Sequence, residues 1–153
     1  MEGIKLADAD NIPEAVKRFI PEHHGTQHIS FFYNRAKEAD PDAQLNPSDF
    51  SYAGPKPQTK ETAILMLADT VESAARVLQD PTPTRIREMV NRLVQAKIAD
   101  GQLDQSPLTL REIDLINESL VSVLTGMYHH RIDYPSAPQG SPGEKIGAGV
   151  GAA

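Results

Sequence analysis

Residues 59–78 read TKETAILMLADTVESAARVL. Thr59 is a residue type whose side-chain oxygen can accept a hydrogen bond from one of the unpaired amides at a helix start. Behind it Ala63, Leu67, Thr70, Val71, Ala74 and Leu78 recur at three- and four-residue steps, with Ile64 and Met66 flanking them. That spacing lays one apolar stripe along a helix and does not alternate as a strand would. Within it, the stretch from Ile64 to Val71 is otherwise apolar around a single carboxylate, Asp69. A charge in such a place either faces solvent or finds a strong partner.

Working outward, Asp80-Pro81-Thr82-Pro83 ends this helix and starts another, since proline suits the first turn and cannot continue a helix. Ile86, Val90, Leu93, Val94 and Ile98 then repeat at helical steps, and Gly101 closes the helix near Asp100. Thr109 with Glu112 forms a capping box, followed by Ile113, Ile116, Leu120, Val123, Leu124 and Met127 on one face. On the amino-terminal side, residues 39–58 are rich in Pro, Asp, Asn and Gly and read as a long loop pinned by Phe50 and Tyr52. Thr26 is placed to cap a helix whose stripe is Ile29, Phe32, Tyr33 and Ala36. A helix led by Pro13, with Ala15, Val16, Phe19 and Ile20 in step, is expected to bend or end at Pro21. Ile4, Leu6 and Ala7 give about two uncapped helical turns, as if the pattern began in mid-helix. Residues 136–153 are Pro-, Gly- and Ala-rich and predict a disordered tail. The fold class is all-α, a single domain over residues 1–135.

The composition agrees. Hydrophobic residues make up 39% of 153, aromatics 5%, and there is no Trp, so the core is aliphatic. There is no Cys, which excludes disulfides and thiolate metal sites. The net charge of -6 argues against a DNA or RNA polymer as partner, because such binding rests on a broad positive field. No apolar run approaches the roughly 20 residues of a membrane span.

Three places could carry chemistry. His23-His24 offers two imidazoles at a helix end, where two metals side by side could take one each. The same pair also reads as a partly exposed cap favoured by the helix dipole. Asp69 could ligate a metal, with Glu72 one turn on behind it, or could face solvent or pair with Arg76. Lys56 and Lys60 flank the loop GPKPQTKE that enters a helix N-terminus, a place where a phosphate can be held. They read equally as solvated lysines. Asp100-Gly101-Gln102-Leu103-Asp104 has the start of a calcium loop without its later ligands and reads as a helix stop. His28, His129 and His130 read as structural or surface residues. None of these residues has the pattern of a nucleophile or general acid–base pair, so no catalytic side chain is assigned.

Several strings together resemble a known family. They are Glu22-His23-His24-Gly25-Thr26 with Phe31-Phe32-Tyr33-Asn34-Arg35-Ala36, then Tyr52 through Ile64 running into Met66-Leu67-Ala68-Asp69-Thr70-Val71-Glu72. Asp80 to Pro83, Asp100 to Asp104, Leu108 to Leu110 and Tyr128 to Pro135 follow in the same order. The chain is similar to the carboxyl-terminal part of the cytoplasmic HD domain of the bacterial seven-transmembrane HD phosphohydrolases. The resemblance implies a helical HD bundle that lacks its amino-terminal side. It implies two divalent transition metals, Mn or Fe, with His23, His24 and Asp69 among the ligands. It implies hydrolysis of cyclic di-AMP to the linear dinucleotide at the cytoplasmic face of the inner membrane, with membrane attachment only through a preceding region.

The family's remaining ligands are an early His, the His-Asp pair and a further His, and no His-Asp dipeptide occurs in these 153 residues. The chain by itself is therefore expected to be inactive and to show partial or no metal occupancy. Two other readings stand beside this one. A non-catalytic helical binding module that self-associates would use apolar surface left uncovered. An HD nucleotidohydrolase acting on mononucleotides would share the fold, although the GPKPQTKE string favours the membrane family.

Overall fold

The structure is a computed structural model and describes residues 2–129, with the backbone alone described for His129. Its helices are α1 (Glu2–Ala9), α2 (Glu14–Lys17), α3 (Phe19–Glu22), α4 (Ser30–Ala39), α5 (Lys60–Ala75), α6 (Pro83–Ala99) and α7 (Leu110–His129), with a 3-10 turn at Pro47–Phe50. Among the described residues there is no strand, only an isolated antiparallel bridge between His28 and Ser51. The all-α expectation holds. No helix among these residues is long and apolar enough to cross a membrane.

The body is an α5–α6–α7 bundle, with α3 packed on α5 and α1 on α3. Each long helix starts where its cap chemistry starts it. Thr59 Oγ1 accepts the Thr62 amide at 3.2 Å and Thr62 Oγ1 accepts the Thr59 amide at 3.3 Å, a reciprocal box. Thr82 Oγ1 accepts the Arg85 amide at 3.3 Å, with Pro83 in the first turn. Thr109 and Glu112 pair as expected, with the Thr109 amide 2.9 Å from Glu112 Oε2. Gly101, at φ 65, turns the chain out of α6 in the left-handed region that favours glycine.

Buried side chains follow the four-residue step. Ala63, Met66, Leu67, Val71 and Ala75 of α5 meet Ile86, Met89, Val90 and Val94 of α6 and Ile113, Val121 and Leu124 of α7. Met66 is wholly buried rather than flanking the stripe, whereas Ile64 and Leu65 keep 40% and 38% of their surface exposed. Ile64 and Leu65 widen the apolar surface beyond the buried stripe, so spacing alone leaves the rotation of the helix loosely defined.

The amino-terminal third departs from expectation in two ways. Pro21 lies inside α3, which runs to Glu22. A proline in the first turn of so short a helix removes no needed amide bond. Thr26 does not cap the next helix. That helix begins at Ser30 behind Ile29, with no side-chain cap, and the Thr26 amide is taken by Gln102 instead. Its stripe is not buried among the described residues, and Phe31 and Phe32 are exposed. The 39–58 loop is held at the two aromatics named from sequence. Phe50 accepts the Ile29 amide at 2.7 Å through its carbonyl, and its ring meets Tyr33 edge-on. Tyr52 donates its amide to Gln27 at 3.0 Å. Residues 136–153 and His130 lie outside the described residues.

Candidate metal centre

The His pair stands where α3 ends. His23 still has helical angles (φ -69, ψ -20), and Gly25 at φ 58 then turns the chain away. The two imidazole centroids are 3.7 Å apart with planes at 39°. On its other side His24 stacks on Tyr52, at 4.3 Å and 11°. The rings and Tyr52 line a cleft of about 360 Å³ with Ile4, Ile20 and Pro21.

His23 Nδ1 lies 2.5 Å from the Phe19 carbonyl oxygen. A carbonyl only accepts, so Nδ1 carries the hydrogen and the neutral ring keeps its lone pair on Nε2. Metal-binding histidines are commonly oriented in this way by a bond from the other ring nitrogen. The pKa of His24 is lowered by burial first and then by the neighbouring His23, and the charge of Asp69 opposes both. The net direction favours neutral imidazole, the form that ligates.

Asp69 is exposed on α5, and its charge acts on His24, Lys97 and Arg76. Arg76 does not pair with it; the guanidinium is 2.6 Å from Glu72 Oε1. Glu72 thus has its own partner. Among the described residues no group of three or more His, Asp or Glu side chains comes together closely enough to hold an ion. Two imidazoles with one fixed tautomer therefore fit a metal, but with Asp69 they do not form a closed ligand set.

Lys56 and Lys60, the expected phosphate contacts, each have a carboxylate nearby. Lys56 Nζ is 3.9 Å from Asp104 Oδ2, and Lys60 donates to Glu112 Oε1. That bond, with the two from Thr109, pushes the Glu112 carboxyl down to about 2. His28 is exposed, with Nδ1 at 3.2 Å from the Pro47 carbonyl oxygen. A larger cleft of about 710 Å³ lies between α5 and α7 beside Arg76, Leu78, Leu124 and Met127, away from the His pair.

Three residues near the pair were not singled out from sequence. Glu22 is buried, and its Oε2 accepts the Gln58 amide at 2.9 Å and the Thr62 hydroxyl at 2.7 Å. Gln102 is buried, and its Oε1 accepts the Thr26 amide at 3.0 Å. Lys97 donates to Gln27 Oε1, and burial lowers its pKa against the pull of Asp100 and Asp69. Their only sequence signal is closeness to the HH and DGQLD strings, because a polar residue type carries no mark of its own burial.

No family model matches the chain. It is 37% identical over 134 residues to the cyclic-di-AMP phosphodiesterase PgpH of Listeria monocytogenes serotype 1/2a (strain 10403S), covering 88% of this chain and 18% of that protein. It is 39% identical over 136 residues to PgpH of Bacillus subtilis (strain 168), covering 89% of this chain and 19% of that protein. The L. monocytogenes PgpH HD domain solved in complex with cyclic-di-AMP superposes with a TM-score of 0.78 at 37% identity, over 86% of this chain and 61% of that one. The same HD domain solved by itself gives 0.75 at 34% identity, over 82% and 58%. The chain thus spans under a fifth of the length of these relatives and about three fifths of the HD-domain chains. By sequence and by fold, it is a homologue of the PgpH cyclic-di-AMP phosphodiesterases, matching part of their HD domain.

Proposed function

We propose that this chain is the portion of a metal-dependent phosphodiesterase that supplies His23, His24 and Asp69 to a centre of two divalent transition metals, Mn or Fe. The protein containing it hydrolyses cyclic di-AMP to the linear dinucleotide at the cytoplasmic face of the membrane. The observation that carries this reading is the paired imidazoles, with His23 Nδ1 tied to the Phe19 carbonyl and Nε2 left to ligate. The likeness to an HD domain solved with cyclic-di-AMP supports the substrate.

When bound, the metals supply Lewis acidity, activating water and offsetting charge on the phosphate. The chain's own residues hold the geometry. The Phe19 carbonyl fixes the His23 ring, and Tyr52 covers one face of His24 and keeps water from it. Hydrolysis adds one water: its oxygen bonds to phosphorus, the P–O3′ bond breaks, and the 3′ oxygen takes a proton. A phosphate at Lys56 or Lys60 would compete with Asp104 or Glu112 for the ammonium groups.

Calorimetric titration of Mn²⁺ into the chain tests the metal reading. Any binding by the chain is expected to be partial and to be lost in a His23→Ala, His24→Ala double variant; binding of equal strength in the variant would refute it. The 153 residues alone are expected to leave cyclic di-AMP uncut, since they hold only three of the expected ligands. Robust metal-dependent cleavage by them would overturn that expectation. A second reading, self-association, is favoured by exposed Leu6, Phe31, Phe32, Val123 and Met127. Sedimentation over a range of concentration separates monomer from oligomer.

A further inference from the structure

The His pair is bracketed by two buried polar side chains that touch neither ring in any hydrogen bond. Glu22 precedes it and is 4% exposed; Gln102 reaches the turn that follows it and is 2% exposed. Glu22 Oε2 takes the Gln58 amide at 2.9 Å and the Thr62 hydroxyl at 2.7 Å, both at the start of α5. Gln102 holds the other side. Its Oε1 accepts the Thr26 amide at 3.0 Å, and its Nε2 donates to Thr26 Oγ1 at 3.2 Å and to Asp100 Oδ2 at 2.9 Å. Between them, a Cβ at Gly25 would lie 2.4 Å from Gln102 Oε1 and 2.8 Å from Met66 Cε. The segment is seated directly on the core, with no space for a side chain at the turn.

A buried carboxyl is costly to place unless it is hydrogen-bonded, and Glu22 is bonded away from the cleft, to the helix that also carries Asp69. We infer that Glu22 and Gln102 are positioning residues that lock the His23–His24 segment to α5 and to the α6 exit, setting the distance between the His pair and Asp69. Glu22 is the principal lock. It is one residue from His23, and its partners Gln58 and Thr62 precede Asp69 on one continuous chain segment. Its predicted effect on metal affinity rests on the reading of His23 and His24 as ligands, whereas the ring geometry does not.

The test uses the full chain without metal first. Imidazole ¹⁵N shifts report which His23 nitrogen carries hydrogen, and upfield ring protons report His24 stacked on Tyr52. Glu22→Ala is expected to lose both signatures. Glu22→Gln, whose side-chain oxygen can accept both bonds, is expected to keep them. Leu67→Ala, destabilised in the core, should leave the signatures intact while folded, which distinguishes positioning from general loss of stability. If Glu22→Ala does not fold, Thr62→Val removes one donor and is read in the same way.

Signatures unchanged in folded Glu22→Ala and Thr62→Val would overturn the inference. Mn²⁺ titration then follows, with affinity expected to drop about tenfold in Glu22→Ala, on the scale of losing an outer-shell support. A wild-type chain that binds Mn²⁺ with an affinity unchanged in Glu22→Ala, while Glu22→Ala loses the ring signatures, would count against the metal reading and uphold the lock.

Discussion

Gly25→Ala should be among the most damaging single-methyl additions to this chain. At φ 58 the residue lies in the left-handed region, where a Cβ costs roughly 1–2 kcal/mol. The new methyl would sit 2.4 Å from Gln102 Oε1, closer than real contacts allow, so Gln102 must move. Moving it breaks the part-buried bond to the Thr26 amide, and a hydrogen bond of this kind contributes about 0.5–1.5 kcal/mol net. The Met66 methyl at 2.8 Å can swing aside only within a packed core. Together these effects put the loss at about 3 kcal/mol, or a midpoint lower by about 10 °C for a chain of this size.

Gly126→Ala is the counterpart. A Cβ there meets no described atom within 4 Å, and the residue is inside α7, so the change should stabilise by about 0.5–1 kcal/mol. Urea unfolding of both variants, compared by midpoint at unchanged slope, reads the difference directly. A neutral Gly25→Ala, or a Gly126→Ala that loses more than Gly25→Ala, would refute this account of the turn.

Further outcomes follow from the bundle and its caps. Leu67→Ala, at 1% exposure, should cost about 2–5 kcal/mol, while Leu65→Ala, at 38%, should cost under about 1 kcal/mol; equal losses on denaturant unfolding would mean that α5 is rotated differently. Glu112 has its folded pKa pushed from 4.5 down to about 2 by Lys60 and Thr109, so its stabilising contribution is present above 4.5 and lost as pH falls toward 2. The wild-type advantage over Glu112→Gln in urea midpoint should be full at about pH 6 and shrink through that window. A constant difference would show that these bonds do not govern its titration. Thr59→Ala should lower stability by about 1 kcal/mol by opening the box that starts α5, measured by thermal unfolding.

The long helices were legible from sequence because local chemistry sets them. Thr59 and Thr109 cap the helices expected of them, a helix starts at Pro83 as the Asp80–Pro83 string implied, Gly101 ends α6, and the four-residue step of Ala63, Leu67 and Val71 faces the core. The strings around His23, His24 and Asp69 likewise pointed to the PgpH homology that the comparisons bear out. Capping and periodicity act over a few residues, so they can be read in a row of letters.

The departures involve partners far apart in the chain. Thr26 has the right residue type for a cap, yet its amide goes to Gln102, 76 positions away. Glu22 reaches Gln58 and Thr62 across 36 and 40 positions. Lys60 finds Glu112, 52 positions away. A side chain's donors and acceptors fix what it can bond, but only the packing of α3, α5 and α6 decides which partner is within reach and which carboxyl is buried. The sequence therefore determined the helices and the residues able to ligate. Tertiary structure decided how the segment carrying the two imidazoles is seated and that Tyr52 stacks on His24, because both depend on contacts closed between segments with no local relation to each other.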